Sequence, residues 1–162
     1  PETWHLTISF LGYQPDEAIC PILDSIKNTA QNHIATINSR NVVFEKIIFG
    51  PPFNSAKGRP ARQPRMIWLT GTKETSKILG DIKSKLENNL IENGVRFQED
   101  FRPYNAHLTL ARFQVGEIKN IEEIKLPRIN SLNFEAQSLD LMESHLKRTG
   151  AEYEVLFSMP IS

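Results

Sequence analysis

The 162-residue sequence has a single cysteine, Cys20, and no apolar run near the roughly 18 residues that a membrane-spanning helix needs. One cysteine excludes an internal disulfide framework and is typical of proteins from a reducing compartment. The sequence also shows no secretory signal, so we expect a cytoplasmic protein. A net charge is lacking as well, because 19 basic and 19 acidic side chains balance. Any basic surface for an anionic partner therefore has to be local.

The remaining composition is that of an ordinary globular protein, with 40% hydrophobic and 23% charged residues. Its length favours a single domain that spans residues 1–162.

Two tetrapeptides of one pattern stand out, His5-Leu6-Thr7-Ile8 and His107-Leu108-Thr109-Leu110. In an extended strand, residues two apart share a face, so each motif presents an imidazole and a hydroxyl together. The alternate leucine and isoleucine side chains would then face a core. By average composition, two chance matches among four histidines have odds of roughly one in several hundred. The other two histidines, His33 and His145, lie outside such motifs and are interpreted as bystanders.

These residue types suit acid–base chemistry on a phosphate. Imidazole donates or accepts protons near neutral pH, so one of His5 and His107 could take a proton from water while the other supplies one to a leaving oxygen. Thr7 and Thr109 could donate hydrogen bonds to phosphate oxygens. Neither motif has a second ligand at a usual zinc spacing, so we expect no metal site.

Hydrophobic periodicity predicts six strands and two helices, with mainly antiparallel sheet in an α+β fold. The predicted strands are 4–12, 41–49, 66–69, 104–113, 130–143 and 152–160. The predicted helices are 16–36 and 74–93, the second ending at Gly94. A proline-rich loop at 51–64 and a connector at 116–128 complete the chain.

Basic residues cluster in and just after the proline-rich loop, at Lys57, Arg59, Arg62 and Arg65. Since attraction to phosphates is electrostatic and local, they are candidates for contact with an RNA backbone. The alternative is a solvated loop without a ligand.

Aromatic residues near the motifs offer a second kind of contact. Tyr104, Phe49 and Phe53 are candidates for stacking on a terminal base, with core packing as the alternative. The alternation of residues places Trp4 and Trp68 on core-facing positions.

Longer strings around the motifs resemble the 2H phosphoesterase superfamily. They resemble its LigT-like branch, the RNA 2′,3′-cyclic phosphodiesterases once named 2′-5′ RNA ligases. The resemblance covers nearly the whole sequence and is strongest at residues 1–12, 64–69, 101–112, 143–146 and 150–156.

The resemblance implies a two-lobed fold with two helices packed outside mainly antiparallel sheets and a central cleft that has one motif on each side. It implies hydrolysis of a terminal RNA 2′,3′-cyclic phosphate to a 2′-phosphate, without metal or cofactor. The expected partners are RNA ends or a small nucleotide with a cyclic phosphate, with no membrane, and we expect a monomer.

The family also implies a role for each site residue. His5 would protonate the departing 3′ oxygen, and His107 would activate the attacking water. Thr7 and Thr109 would hold the phosphate, and Arg112 would add a phosphate contact.

Three departures from the family pattern are visible. Family members have an N-terminal strand before the first motif, whereas only four residues precede His5 here, so we expect either that the sequence is trimmed or that the first lobe lacks this strand. Extra residues separate Pro103 from His107. Strict alternation sends Arg112 to the face opposite His107, so Arg112 reaches the cleft only if a bulge or a strand end intervenes.

Two alternatives remain open beside the RNA phosphodiesterase. One is a phosphodiesterase for a small cyclic nucleotide or a 2′-5′ oligonucleotide. The other is a non-catalytic nucleotide- or RNA-binding module, although binding alone does not require two titratable groups.

Overall fold

The computed structural model describes residues 5–34, 41–50, 64–114, 117, 121–147 and 150–161. It confirms the α+β class and its antiparallel sheets. The elements, in chain order, are α1 (Ile19–Thr29), β1 (Asn41–Gly50), β2 (Met66–Gly71), α2 (Lys73–Glu92), β3 (His107–Arg112), β4 (Leu132–Glu135), β5 (Ser138–Lys147) and β6 (Gly150–Pro160). No helix within these ranges combines the length and the apolar content that crossing a bilayer requires.

Both helices lie where the sequence predicts them. Short helical turns, Asp16–Ala18 and Ala30–Ile34, extend α1 at its two ends, and positions 35 and 36 of the prediction lie outside the described residues. At the start of α2, the Thr72 hydroxyl accepts a hydrogen bond from the Thr75 amide at 3.1 Å and so caps the helix. Gly94, with φ +77°, adopts the left-handed conformation that commonly ends a helix.

The strands form two separate sheets. Four of them lie in the order β3-β2-β1-β4, and β5 and β6 form a two-stranded ribbon. The predicted single strand at 130–143 is therefore wrong, because β4 pairs with β1 whereas β5 pairs with β6. Both parts are extended and apolar at intervals, so the local pattern does not reveal that the chain changes its partner near Ala136. The strand predicted at 104–113 is shorter in the structure, because β3 begins only at His107 and ends at Arg112.

Two clusters of apolar side chains hold these elements together. The first joins α1, α2 and the β5–β6 ribbon. The second lies on one face of the four-stranded sheet and consists of Val42, Phe44, Leu69 and Leu108. Leu6 packs against both clusters, so the first motif lies where the two halves of the molecule meet.

The predicted strand at 4–12 is wrong for its described part, because residues 5–12 pair with no strand. The alternation holds only in part, since Leu6 and Ile8 pack against the first cluster whereas Phe10, two positions further on, is 75% exposed. Side chains bind backbone carbonyls here: the Tyr104 hydroxyl donates to the Thr7 oxygen and the Gln14 amide donates to the Leu11 oxygen. Alternation indicates only which face a segment could bury, whereas a strand also needs a neighbouring backbone to pair with.

Candidate functional site

The second motif lies on β3, where strand geometry divides its side chains between two faces. Leu108 is buried in the second apolar cluster. His107 and Thr109 are half-buried on the opposite face and are paired across the sheet with Thr70 and Trp68, respectively. The predicted common face of the imidazole and the hydroxyl is therefore present in this motif.

Two contacts fix the His107 ring. Its centroid lies 4.1 Å from that of Trp68, with 31° between the ring planes. Its Nδ1 lies 2.8 Å from the backbone oxygen of Asn105. Because a carbonyl only accepts hydrogen bonds, Nδ1 carries the proton in this contact, and the Nε2 of the neutral ring then holds the lone pair. Such a ring can act as a base through Nε2.

The first motif lies on the segment that precedes α1. The half-buried His5 ring meets the Tyr153 ring of β6 edge to face, with 4.5 Å between centroids and 69° between planes. Thr7 is exposed, and its backbone oxygen accepts a hydrogen bond of 2.8 Å from the Tyr104 hydroxyl.

The two motifs are thus connected on the side of their apolar residues. Leu6 packs against the same cluster that buries Leu108. In addition, Tyr104, three residues before His107, is hydrogen-bonded to the backbone of Thr7. The fold therefore ties together two segments that lie about a hundred residues apart in the chain.

A bulge in β3 decides the orientation of Arg112. Thr109 pairs with Trp68 and Ala111 with Ile67, so Leu110 is an extra residue without an opposite partner. Because the bulge shifts the alternation by one, Arg112 shares the face of Thr109 rather than the opposite face. The structure thus contains the bulge without which strict alternation would have placed Arg112 on the opposite face. The guanidinium Nη1 lies 3.2 Å from the Met66 sulfur, and the side chain is exposed.

The basic group of the sequence is described only in part. Arg65 is exposed just before β2, where its backbone is hydrogen-bonded to Gly50 and Phe113. Lys57, Arg59 and Arg62 lie outside the described residues.

The candidate stacking residues have other contacts. Tyr104 packs against the first apolar cluster and approaches α2 where Gly80 leaves room for its Cβ. Burial raises the pKa of its hydroxyl from 10.0 to about 12. Phe49 meets the ring of Phe113 edge to face, with 6.3 Å between centroids. Phe53 lies outside the described residues.

Trp68 is buried, as its predicted core-facing position requires, but it belongs to neither apolar cluster. The strand register places Trp68 on the face of Thr109, whereas its neighbour Leu69 enters the second apolar cluster. Met66 to Leu69 is a continuous apolar run, so alternation had no polar residue with which to assign the faces. Trp4 lies outside the described residues. Sequence reasoning also missed Asn105 and Tyr153, whose contacts with the two histidines arise only from the fold.

One group of side chains in the described part of the chain has the donors for a metal ion. The ligand atoms of Glu143, His145 and Glu154 lie within 4.8 Å of one another. His145 Nε2 is already 3.5 Å and 3.8 Å from the two carboxylates, and all three residues are exposed on the ribbon. None of the three belongs to either histidine motif.

A groove of about 910 Å³ lies beside the His107 face. It runs from Lys46, Ile48 and Thr70 along the exposed side of α2 to residues 99–105. At its far end, Asp100 is held by the Arg102 guanidinium, whose hydrogen bond keeps the pKa of this carboxyl well below its usual range. The groove is lined by none of the four histidine and threonine side chains of the motifs.

Comparisons of the sequence and of the structure with known proteins point to the same family. A family model described as LigT like phosphoesterase matches residues 70–153, slightly more than half of the chain, including the second motif. An RNA 2′,3′-cyclic phosphodiesterase of Bacillus subtilis (strain 168) is 26% identical over 163 residues, which cover 100% of this chain and 79% of the relative.

Solved structures show the same fold. E. coli LigT in complex with 3′-AMP has a TM-score of 0.62 at 18% identity, with 99% of this chain and 78% of LigT covered. The protein TT0787 of Thermus thermophilus has a TM-score of 0.58 at 21% identity, with 98% of this chain and 78% of TT0787 covered. Together with the family model, these findings show that the chain belongs to the LigT-like phosphoesterases of the 2H superfamily.

Proposed function

We propose that this protein hydrolyses the 2′,3′-cyclic phosphate at RNA ends to a 2′-phosphate, using two histidines and no metal ion. The observation that carries the proposal is the second motif. His107 and Thr109 share one face of the sheet, and the contact between Nδ1 and Asn105 leaves Nε2 as a proton acceptor. The relative from Bacillus subtilis, named for this reaction, supports the same conclusion.

In the proposed reaction, Nε2 of His107 removes a proton from water while the water oxygen attacks phosphorus. The bond between phosphorus and O3′ breaks, and protonated His5 gives its proton to O3′. The products are a free 3′ hydroxyl and a 2′-phosphate, and exchange with solvent restores both imidazoles to their starting states.

The remaining candidate residues bind or orient the substrate and transfer no proton. Thr7 and Thr109 donate hydrogen bonds to its nonbridging oxygens, where negative charge develops. The bulge at Leu110 supports a contact from Arg112, because it brings this guanidinium to the face of Thr109. Arg65 is proposed to attract the RNA backbone. Tyr104 is proposed to act through Thr7, whose backbone it holds.

The direct test is an oligonucleotide that ends in a 2′,3′-cyclic phosphate, with phosphorus NMR used to identify which hydroxyl keeps the phosphate. We expect only the 2′-phosphate, unchanged by EDTA. His5→Ala and His107→Ala should each lower kcat by about 10²- to 10⁴-fold, the usual contribution of a general acid or base. His145→Ala is the matched control, since it removes an exposed histidine outside both motifs. A 3′-phosphate product, or full activity in either motif variant, would contradict the proposal.

A second candidate substrate is a small nucleotide. It is favoured by solved structures of E. coli LigT that contain 3′-AMP and NADP⁺. A nucleoside 2′,3′-cyclic monophosphate turned over faster than the oligonucleotide would support this candidate. A binding module without catalysis would instead retain either ligand and release no product.

We also propose that the protein works as a monomer. Light scattering coupled to size-exclusion chromatography tests this, and a dimer at assay concentration would contradict it.

A further inference from the structure

Three neighbouring strands bring Gly50, Trp68 and His107 together on one face of the sheet. Trp68 is only 8% exposed, and a Cβ atom at Gly50 would lie 2.2 Å from Cδ2 of its indole. The indole therefore lies directly against the glycine of β1. The imidazole of His107, from β3, lies 4.1 Å from the indole, between centroids.

Trp68 is buried, but it lies apart from both apolar clusters. It lies on the face opposite Leu69. Its indole Nε1 is buried and has no hydrogen-bond partner within the part of the chain that the structure describes. A buried donor without a partner is unfavourable for folding, and a phenylalanine or leucine would fill the position without one.

We infer that Trp68 is a positioning residue for the base His107, an inference that rests on the proposed function. The indole sets the plane of the imidazole, and the Asn105 oxygen sets which edge carries the proton. Together they fix the direction of Nε2. As His107 takes the proton from water, its positive charge forms over an aromatic face, which stabilises the charged ring.

Gly50 is part of the same arrangement. A side chain there would enter the space of the indole, because the contact of 2.2 Å is far shorter than van der Waals distance. Gly50 thus permits the approach that keeps Trp68 against His107. On the same face, β1 contributes the charged side chain Lys46 and β3 contributes Arg112.

The first experiment detects the contact without using activity. The chain has two tryptophans, so Trp4→Phe leaves Trp68 as the only indole. A protonated imidazole quenches the fluorescence of an indole that it touches. We expect Trp68 emission to be lower at acidic pH than at neutral pH, and this difference to vanish when His107→Ala is added. Identical emission profiles in the two proteins would overturn the inference.

The second experiment separates positioning from general stability. Trp68→Leu should lower kcat about tenfold with little change in KM, the size expected for a desolvated cation–π contact. Trp68→Phe keeps an aromatic face and should restore most of kcat. Leu69→Ala is the matched control, because it removes a buried side chain from the opposite face of the same strand. It should lower the unfolding midpoint and leave kcat per folded molecule unchanged. A wild-type kcat in Trp68→Leu, or a change confined to KM, would refute the positioning role.

The third experiment is a double-mutant cycle at Gly50. Gly50→Ala displaces the indole and should lower kcat as Trp68→Leu does. In a Trp68→Leu background it should cost little more, because no indole remains to be displaced. Losses that simply add would overturn the inference. If the wild type is active and these variants have the same kcat, the positioning role is refuted and the proposed function is not. If the wild type has no turnover, the proposed function is refuted, and the positioning role is refuted with it.

Discussion

Replacing Tyr104 with phenylalanine should remove the hydrogen bond that connects the two motifs and change the response of stability to alkaline pH. At neutral pH, the variant loses the hydrogen bond to the Thr7 oxygen, of 2.8 Å. Such a bond contributes about 1 kcal/mol to the free energy of unfolding. Thr7 is exposed, so water can replace the lost donor, and the cost stays near that value.

Above pH 10 the sign of the difference should reverse. Burial raises the pKa of Tyr104 from 10.0 to about 12 in the folded protein. The folded state therefore holds this proton more tightly, and the stabilisation is complete below pH 10 and is lost as the pH rises to about 12. Two pKa units correspond to about 3 kcal/mol. The wild type should thus lose its advantage of about 1 kcal/mol and become less stable than the variant by about 2 kcal/mol.

Urea unfolding followed by circular dichroism at several pH values from 8 to 12 measures this difference. Tyr13→Phe is the matched control, because Tyr13 is 96% exposed and its replacement should leave the pH dependence unchanged. Parallel stability profiles for wild type and Tyr104→Phe above pH 10 would refute the argument. Activity adds a second check. A tether predicts a lower kcat in Tyr104→Phe, whereas base stacking predicts a phenylalanine variant like the wild type.

Three further predictions concern the site and its support. Glu87→Gln should lower the free energy of unfolding by about 1–3 kcal/mol in urea titrations, because Glu87 accepts charge-assisted bonds from Lys83 at 2.6 Å and from Ser9 at 2.8 Å. An equal loss in the exposed control Lys85→Gln would contradict this. Arg112→Ala should lower kcat/KM about tenfold, the size of one charge-assisted phosphate contact, and Arg112→Lys should recover part of it. An unchanged kcat/KM in Arg112→Ala would show that Arg112 does not contact the phosphate. The dependence of kcat/KM on pH should be bell-shaped, and a flat profile would exclude paired imidazoles.

Some features follow from the local sequence because short-range physics determines them. The second helix is readable from its apolar residues at helical spacing and from Gly94, whose left-handed conformation ends it. In the same way, alternation correctly predicts that Leu6 and Leu108 face the second apolar cluster and that His107 and Thr109 share a face. A residue's own side chain and its nearest neighbours in the chain suffice for these conclusions.

Other features depend on which segments meet, and the sequence alone did not determine them. The strand prediction for 130–143 failed because β4 and β5 join different sheets. Residues 5–12 pair with no strand among the residues that the structure describes. Only the register of β3 against β2 reveals the bulge at Leu110. That bulge turns Arg112 to the face of Thr109.

The histidine and threonine motifs, and with them the expected chemistry, were set by the sequence, because side-chain type and a spacing of two residues are local properties. The tertiary structure decided what surrounds each imidazole: Trp68 and the Asn105 oxygen at His107, and Tyr153 at His5. These neighbours come from other strands and from backbone atoms. Strand register and packing position them, and no local pattern of residues encodes either one.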